Sequence, residues 1–189
     1  MQQALDDGTE APDILTNGLI AGMEIVGRRF KAGEMFLPEV LLSASVMHQS
    51  LDLINPLLAK SGHKVLGRIV IGTVAGDIHD IGKKIVAFLL EGTGYEVFDL
   101  GVDVKPDEFA QAVVEHSPDI VAMSALLTTT MPYMGTTIEL LKEKGLREKL
   151  KIIVGGAPIS EQFASSIGAD GYALEAGSAV ELVKKLMTS

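Results

Sequence analysis

From residue 14 onward, apolar residues recur every three or four positions. Ile14, Leu15, Leu19, Met23, Val26 and Phe30 mark one face of a helix, and Lys31-Ala32-Gly33 breaks the run. A second run follows at Phe36, Leu37, Val40, Leu41, Ala44, Met47, Leu51 and Ile54. Pro38 sits in its first turn, where a missing N–H costs little, and Pro56 lies near its end. Residues 1–62 therefore read as a helical cap domain whose apolar faces pack on each other.

The pattern changes at Lys60-Ser61-Gly62-His63-Lys64. Beyond it, short continuous apolar runs alternate with helical ones. Strands are predicted at 68–73, 96–100, 119–123, 151–154 and 171–173. Helices are predicted at 81–91, 106–116, 132–144, 163–167 and 179–187. Apolar strands alternating with helices imply a parallel sheet covered on both faces. With right-handed crossovers, residues 63–189 form an α/β domain, a Rossmann-like (flavodoxin-like) doubly wound five-stranded sheet in the order 2-1-3-4-5. In that order ligands bind beyond the carboxyl ends of the strands, beside strands 1 and 3. The loops of interest are thus 74–82, 124–130 and 155–160.

Composition narrows the chemistry. The 16 Lys and Arg against 25 Asp and Glu give a net charge of −9. That balance argues against a general grip on nucleic acid or an anionic membrane. There is no Cys, which removes disulfides, thiolate zinc sites, iron–sulfur clusters and a thiol nucleophile together. No apolar stretch reaches membrane-spanning length, and residues 1–10 are too polar and acidic for a signal peptide, so a cytoplasmic location is expected.

The loop after strand 1 reads Gly76-Asp77-Ile78-His79-Asp80-Ile81-Gly82. A neutral imidazole there can ligate a transition metal, and Asp77 can hold its other nitrogen. No second His is spaced to complete a metal site, so a metal bound by His79 arrives with its other ligands attached. The competing reading is that Asp77 or Asp80 caps the next helix and His79 is a solvated turn residue. Ser124, after strand 3, could reach Asp77 and complete a His–Asp–Ser relay, or the loop's hydroxyls, Thr130 included, could cap the helix at Pro132. Gly155-Gly156 reads either as a surface free of side chains or as an ordinary turn. His48, His63 and His116 carry no such context.

Asp77-x-His79-x-x-Gly82, Ser124-x-Leu126 and Gly155-Gly156 together resemble the signature of cobalamin-binding domains of the base-off, His-on kind. The stretch Gly18-Leu19-x-x-Gly22-Met23-x-x-Val26-Gly27-x-x-Phe30-x-x-Gly33-Glu34-Met35-Phe36-Leu37-Pro38-Glu39-Val40 is similar to the cap of the methyltransferase branch. The resemblance covers almost the whole chain. It points to the small corrinoid proteins that serve methanol, methylamine or methyl-ether methyltransferases, and to the cobalamin-binding region of cobalamin-dependent methionine synthase. The family's cap usually has four helices, and residues 2–8 resemble only the last turns of the first.

The resemblance implies cobalamin as cofactor, with His79 as lower cobalt ligand and Asp77 and Ser124 as its hydrogen-bonded relay. Gly76, Ile78, Asp80 and Ile81 would surround the ligand loop. Gly82, Leu126, Thr128, Gly155 and Gly156 would line the slot for the nucleotide tail. Met35, Phe36 and Leu37 would shield the upper face of the ring. The implied function is to carry a methyl group, as methyl-Co(III), from a substrate-specific methyltransferase to a second one that uses tetrahydrofolate or a thiol coenzyme, with a reductive activator as third partner. Such a protein is not a catalyst by itself. A mutase domain, a cobalamin-dependent sensor and a receiver-like or flavin domain are the alternatives. The cap speaks against the first, the lack of an output module against the second, and the His loop in place of an acidic pair against the third.

Overall fold

The structure is a computed structural model describing residues 1–61 and 65–188, with the side chains of residues 59–61 left aside. The expected boundary at 62/63 and His63 lie outside the described residues.

The chain begins with α1 (Gln2–Asp6) and α2 (Ala11–Asp13). A π-helical stretch, Ile14–Ile20, continues into α3 (Ala21–Lys31), and α4 (Leu37–Ser61) follows. The first apolar run thus forms one nearly continuous rod. A wider π-turn runs through Asn17 and Gly18, both weak helix formers. Pro56 lies inside α4, which runs on past it, so the helix extends further than the apolar run suggested.

The α/β part alternates β1 (Arg68–Thr73), α5 (Ile81–Gly92), β2 (Glu96–Asp99), α6 (Pro106–His116), β3 (Ile120–Ser124), α7 (Pro132–Glu143), β4 (Lys151–Gly155), α8 (Glu161–Ser166), β5 (Gly171–Ala173) and α9 (Ala176–Met187). All strands are parallel, in the order β2-β1-β3-β4-β5, as the sequence predicts. Helix α9 starts three residues earlier than expected, because Glu175 and Ser178 cap its first turn reciprocally.

Burial on both faces explains why the strands read as continuous apolar runs. Val70, Val121 and Ile152 pack against α6 and α7 through Phe109, Ile138 and Leu141. Ile69, Ile71, Ile120 and Ile153 pack on the opposite side with Leu90 of α5 and Val183 of α9. The cap lies against the outer surface of α5 and α9. Met23, Val40, Met47 and Ile54 join one apolar cluster with Ile85, Leu89 and Ala176. Around it Lys31 pairs with Glu181 at 2.8 Å and Lys184 with Glu24 at 2.6 Å. His48 Nε2 approaches Glu91 Oε2 at 3.0 Å and stands edge-on to Phe88.

Candidate functional site

At the carboxyl ends of β1, β3, β4 and β5 lies a cavity of about 710 Å³. It runs down between the sheet and the helices α5 and α9. Ile71, Ala122 and Ile153 form its sheet wall, and Val86 and Ala179 its helix wall. At its mouth Ile78 is 75% and Leu174 71% exposed. Exposed apolar side chains gathered round a deep apolar slot are a sign of a large ligand rather than of ordinary surface.

One imidazole stands at that mouth. His79 lies in the β1–α5 loop, two residues before α5, and its side chain is 49% exposed. Its Nδ1 lies 2.8 Å from Asp77 Oδ1, and its backbone N–H donates to the same oxygen at 3.0 Å. Nε2 makes no hydrogen bond to any described residue. Asp77 is fully buried. Its Oδ2 accepts from Leu126 N–H at 2.7 Å, Leu127 N–H at 3.2 Å and Thr130 Oγ1 at 2.9 Å. Burial by itself would raise the Asp77 pKa. The backbone bonds from Leu126 and His79, followed by the His79 ring and the Thr130 hydroxyl, outweigh it and hold the carboxyl well below the usual range. An ionised Asp77 accepts from His79 Nδ1–H, so in the neutral imidazole the lone pair is on Nε2.

This geometry removes the helix-capping reading of Asp77 and Asp80. Asp80 occupies the N-cap of α5 but makes no side-chain capping bond, and Asp77 faces the β3–α7 loop instead. The expected Ser124–Asp77 contact is not made. Ser124 pairs in register with Thr73 and Gly155 and lines the cavity, while Thr130 supplies the hydroxyl that reaches Asp77. Thr130 Oγ1 also lies 2.9 Å from Leu127 O, but the ionised carboxylate is the stronger acceptor. Nothing in the sequence separates Thr130 from Thr128 and Thr129. Only the turn that brings Leu126 and Leu127 N–H onto the same oxygen does.

The remaining expected residues divide. Ile78, Asp80, Ile81, Gly82, Leu126, Gly155 and Gly156 line the cavity; Gly76, Thr128, Met35, Phe36 and Leu37 do not. Thr128 is exposed. Met35 and Phe36 lie in the turn between α3 and α4, with Phe36 71% exposed, and Leu37 opens α4. The end of α3 comes near the mouth: Lys31 lies against Gly177, next to the cavity-lining Ala176. The glycines serve different ends. A Cβ on Gly156, at φ +126°, would lie 1.9 Å from Ala125 O, so this glycine lets two backbones touch. A Cβ on Gly82 would meet nothing within 4 Å and would stand in the cavity. Sequence reasoning also missed the wall formed by Leu174 and Glu175, because it began α9 too late, and the fully buried Lys83 paired with Asp99.

Among the described residues no three His, Asp or Glu side chains converge to hold a bare metal ion. The donor set is a single imidazole nitrogen beside an apolar slot. It fits a metal that brings its own equatorial ligands and a long appendage.

Comparison with known proteins agrees. A family model described as a B12 binding domain matches residues 67–184, and a second of the same description matches residues 1–55. A corrinoid protein of Desulfitobacterium hafniense (strain Y51) is 47% identical, over 98% of this chain and 88% of its own length. The trimethylamine corrinoid protein of Methanosarcina barkeri is 46% identical, over 96% of this chain and 85% of its own. The crystal structure of the methanol:cobalamin methyltransferase complex MtaBC from Methanosarcina barkeri superposes with a TM-score of 0.89 at 34% identity, covering 100% of this chain and 72% of that one. Among the described residues no helix is long and apolar enough to cross a membrane.

Proposed function

From the premise that this chain belongs to the family of methyltransferase-associated corrinoid proteins and takes a cobalamin cofactor, we propose that His79 Nε2 is the lower axial ligand of the cobalt. The cofactor's own base is then displaced. The observation that carries this reading is the free Nε2 of an imidazole anchored through Nδ1 to a buried, ionised Asp77.

Each residue then has a task. Asp77 fixes the tautomer and strengthens the donor nitrogen. Leu126 N–H, Leu127 N–H and Thr130 keep Asp77 charged, so an imidazole that loses its Nε2 partner stays in place through Nδ1. Ser124, Leu126, Gly155 and Gly156 line the slot for the nucleotide tail, with Thr128 at its outer loop. Gly82 leaves room beneath the ring, and Gly76, Ile78, Asp80 and Ile81 surround the ligand loop. Met35, Phe36 and Leu37 cover the upper face as part of a cap domain, residues 1–62, hinged on the α/β domain of residues 63–189.

When bound, the corrinoid supplies a cobalt centre that accepts a methyl group and yields it again. The chain is thereby a cytoplasmic methyl carrier. It receives the group from a substrate-specific methyltransferase and passes it to a second one acting on tetrahydrofolate or a thiol coenzyme, with a reductive activator restoring accidentally oxidised cobalt. The names of the relatives favour a methylated amine or methanol as donor. The test is to purify the protein from its host with its bound partners and assay methyl transfer to the loaded chain. A co-purifying methyltransferase that methylates it from one of these donors is expected. Failure of every co-purifying methyltransferase to do so would overturn the proposal.

A further inference from the structure

The loop between β2 and α6 contributes no residue to the cavity lining, yet it is wired to the backbone that carries the histidine. Asp103 is the centre of this wiring. It has φ +53°, in the left-handed region that Asp tolerates better than most residues. Its Oδ1 accepts from Gly76 N–H at 2.6 Å, and its own N–H donates to Asp77 O at 2.9 Å. One residue thus grips both sides of the Gly76–Asp77 segment, immediately before the Asp77 side chain. Gly76 itself has φ +77°, so the segment is intrinsically free to swing unless held.

Contacts on either side make the grip rigid. Thr73 N–H donates to Gly101 O and Val104 N–H to Thr73 O, both at 3.0 Å. Asp99 Oδ1 takes Gly101 N–H at 2.8 Å and the buried Lys83 ammonium. The fully buried Thr73 hydroxyl donates to His79 O at 3.0 Å. Strand β1, through Thr73, and the β2–α6 loop, through Asp103, therefore hold the segment 76–79, and Lys83 of α5 steadies that loop through Asp99.

We propose that Asp103 is a positioning residue for His79. It fixes the peptide on which Asp77 and the imidazole stand, so that Nε2 meets the metal within the narrow tolerance that ligation demands. The inference rests on the reading of His79 as axial ligand.

The test compares Asp103→Gly, which keeps the left-handed backbone but removes the acceptor, with Asp103→Asn, which keeps both. In the cofactor-free chain, amide exchange at Gly76 should quicken about tenfold in Asp103→Gly, the scale of one lost hydrogen bond to a charged group, and change little in Asp103→Asn. On loading with hydroxocobalamin, Asp103→Gly should show a smaller histidine-ligated fraction in the visible spectrum at saturation, with Asp103→Asn close to the parent. A purely structural role would lower the unfolding temperature and leave that saturated fraction unchanged. If the parent and His79→Ala give the same spectrum, the axial-ligand reading has failed and the positioning proposal with it. If those two differ but Asp103→Gly matches the parent, the positioning proposal alone is overturned.

Discussion

The two glycines of the site lead to opposite expectations, and Gly82→Ala is the sharper. Gly82 is the second residue of α5, its φ is not left-handed, and an added Cβ would meet nothing within 4 Å. In the cofactor-free chain the substitution removes backbone entropy from the unfolded state and raises helix propensity, a gain of about 0.5–1 kcal/mol. For a chain of this size that corresponds to a rise of roughly 1–4 °C in unfolding temperature. On the proposed reading the same methyl group would intrude on the cofactor's site, and overfilling a packed site by one methyl costs about 1–3 kcal/mol. Affinity for hydroxocobalamin should therefore fall about tenfold or more. Thermal unfolding of the cofactor-free chain and spectroscopic titration with hydroxocobalamin give the two numbers. Gly156→Ala is the control. Its Cβ would collide with Ala125 O at 1.9 Å, at φ +126°, so it should destabilise the chain with or without cofactor. An unchanged affinity in Gly82→Ala, or a loss of stability without cofactor, would refute the placement of the ligand above α5.

Further outcomes follow from the buried charges. Thr130→Val removes one donor to Asp77 and should cost about 1–2 kcal/mol in chemical denaturation, whereas Ser124→Ala, which touches no Asp77 oxygen, should stay within about 0.5 kcal/mol of the parent; the reverse ranking would contradict the observed contacts. At the junction of cap and α5, Glu91 Oε2 is buried without a hydrogen bond, because the close approach of His48 is poorly aligned. Burial raises the Glu91 pKa, His48 opposes the rise and Asp99 adds to it. A carboxyl raised in the folded state favours folding below its unfolded value of about 4.3 and loses that benefit as pH climbs through the folded value. Glu91→Gln should thus gain most in unfolding temperature at pH 8 and progressively less towards pH 5. The comparison is made in a His48→Gln background to remove the titration of His48, and a flat or inverted trend would count against it.

The strand order was legible because each strand is a short apolar run and each crossover is helical, which leaves few topologies. The Asp77–His79 contact was legible because an aspartate two residues before a loop histidine can hold its ring nitrogen. Thr130 was hidden among several hydroxyls, since its partner is chosen by the folding back of residues 126–130 rather than by spacing. Asp103 lies far in sequence from the Gly76–Asp77 segment that it grips, and Lys83 finds its partner Asp99 sixteen residues on, so no local pattern announces them. The π-helical stretch at Ile14–Ile20 keeps nearly the same apolar spacing as an α-helix, and only its Asn17-Gly18 pair hinted at a departure.

The axial nitrogen can be identified directly. The protein is grown with ¹⁵N-histidine, loaded with unlabelled cobalamin, reduced to the paramagnetic Co(II) state and examined by electron paramagnetic resonance. With His79 on the metal, each cobalt line splits into the doublet of a spin-½ nitrogen, and His79→Ala abolishes that splitting. A triplet from the unlabelled benzimidazole, unchanged in His79→Ala, would contradict the assignment.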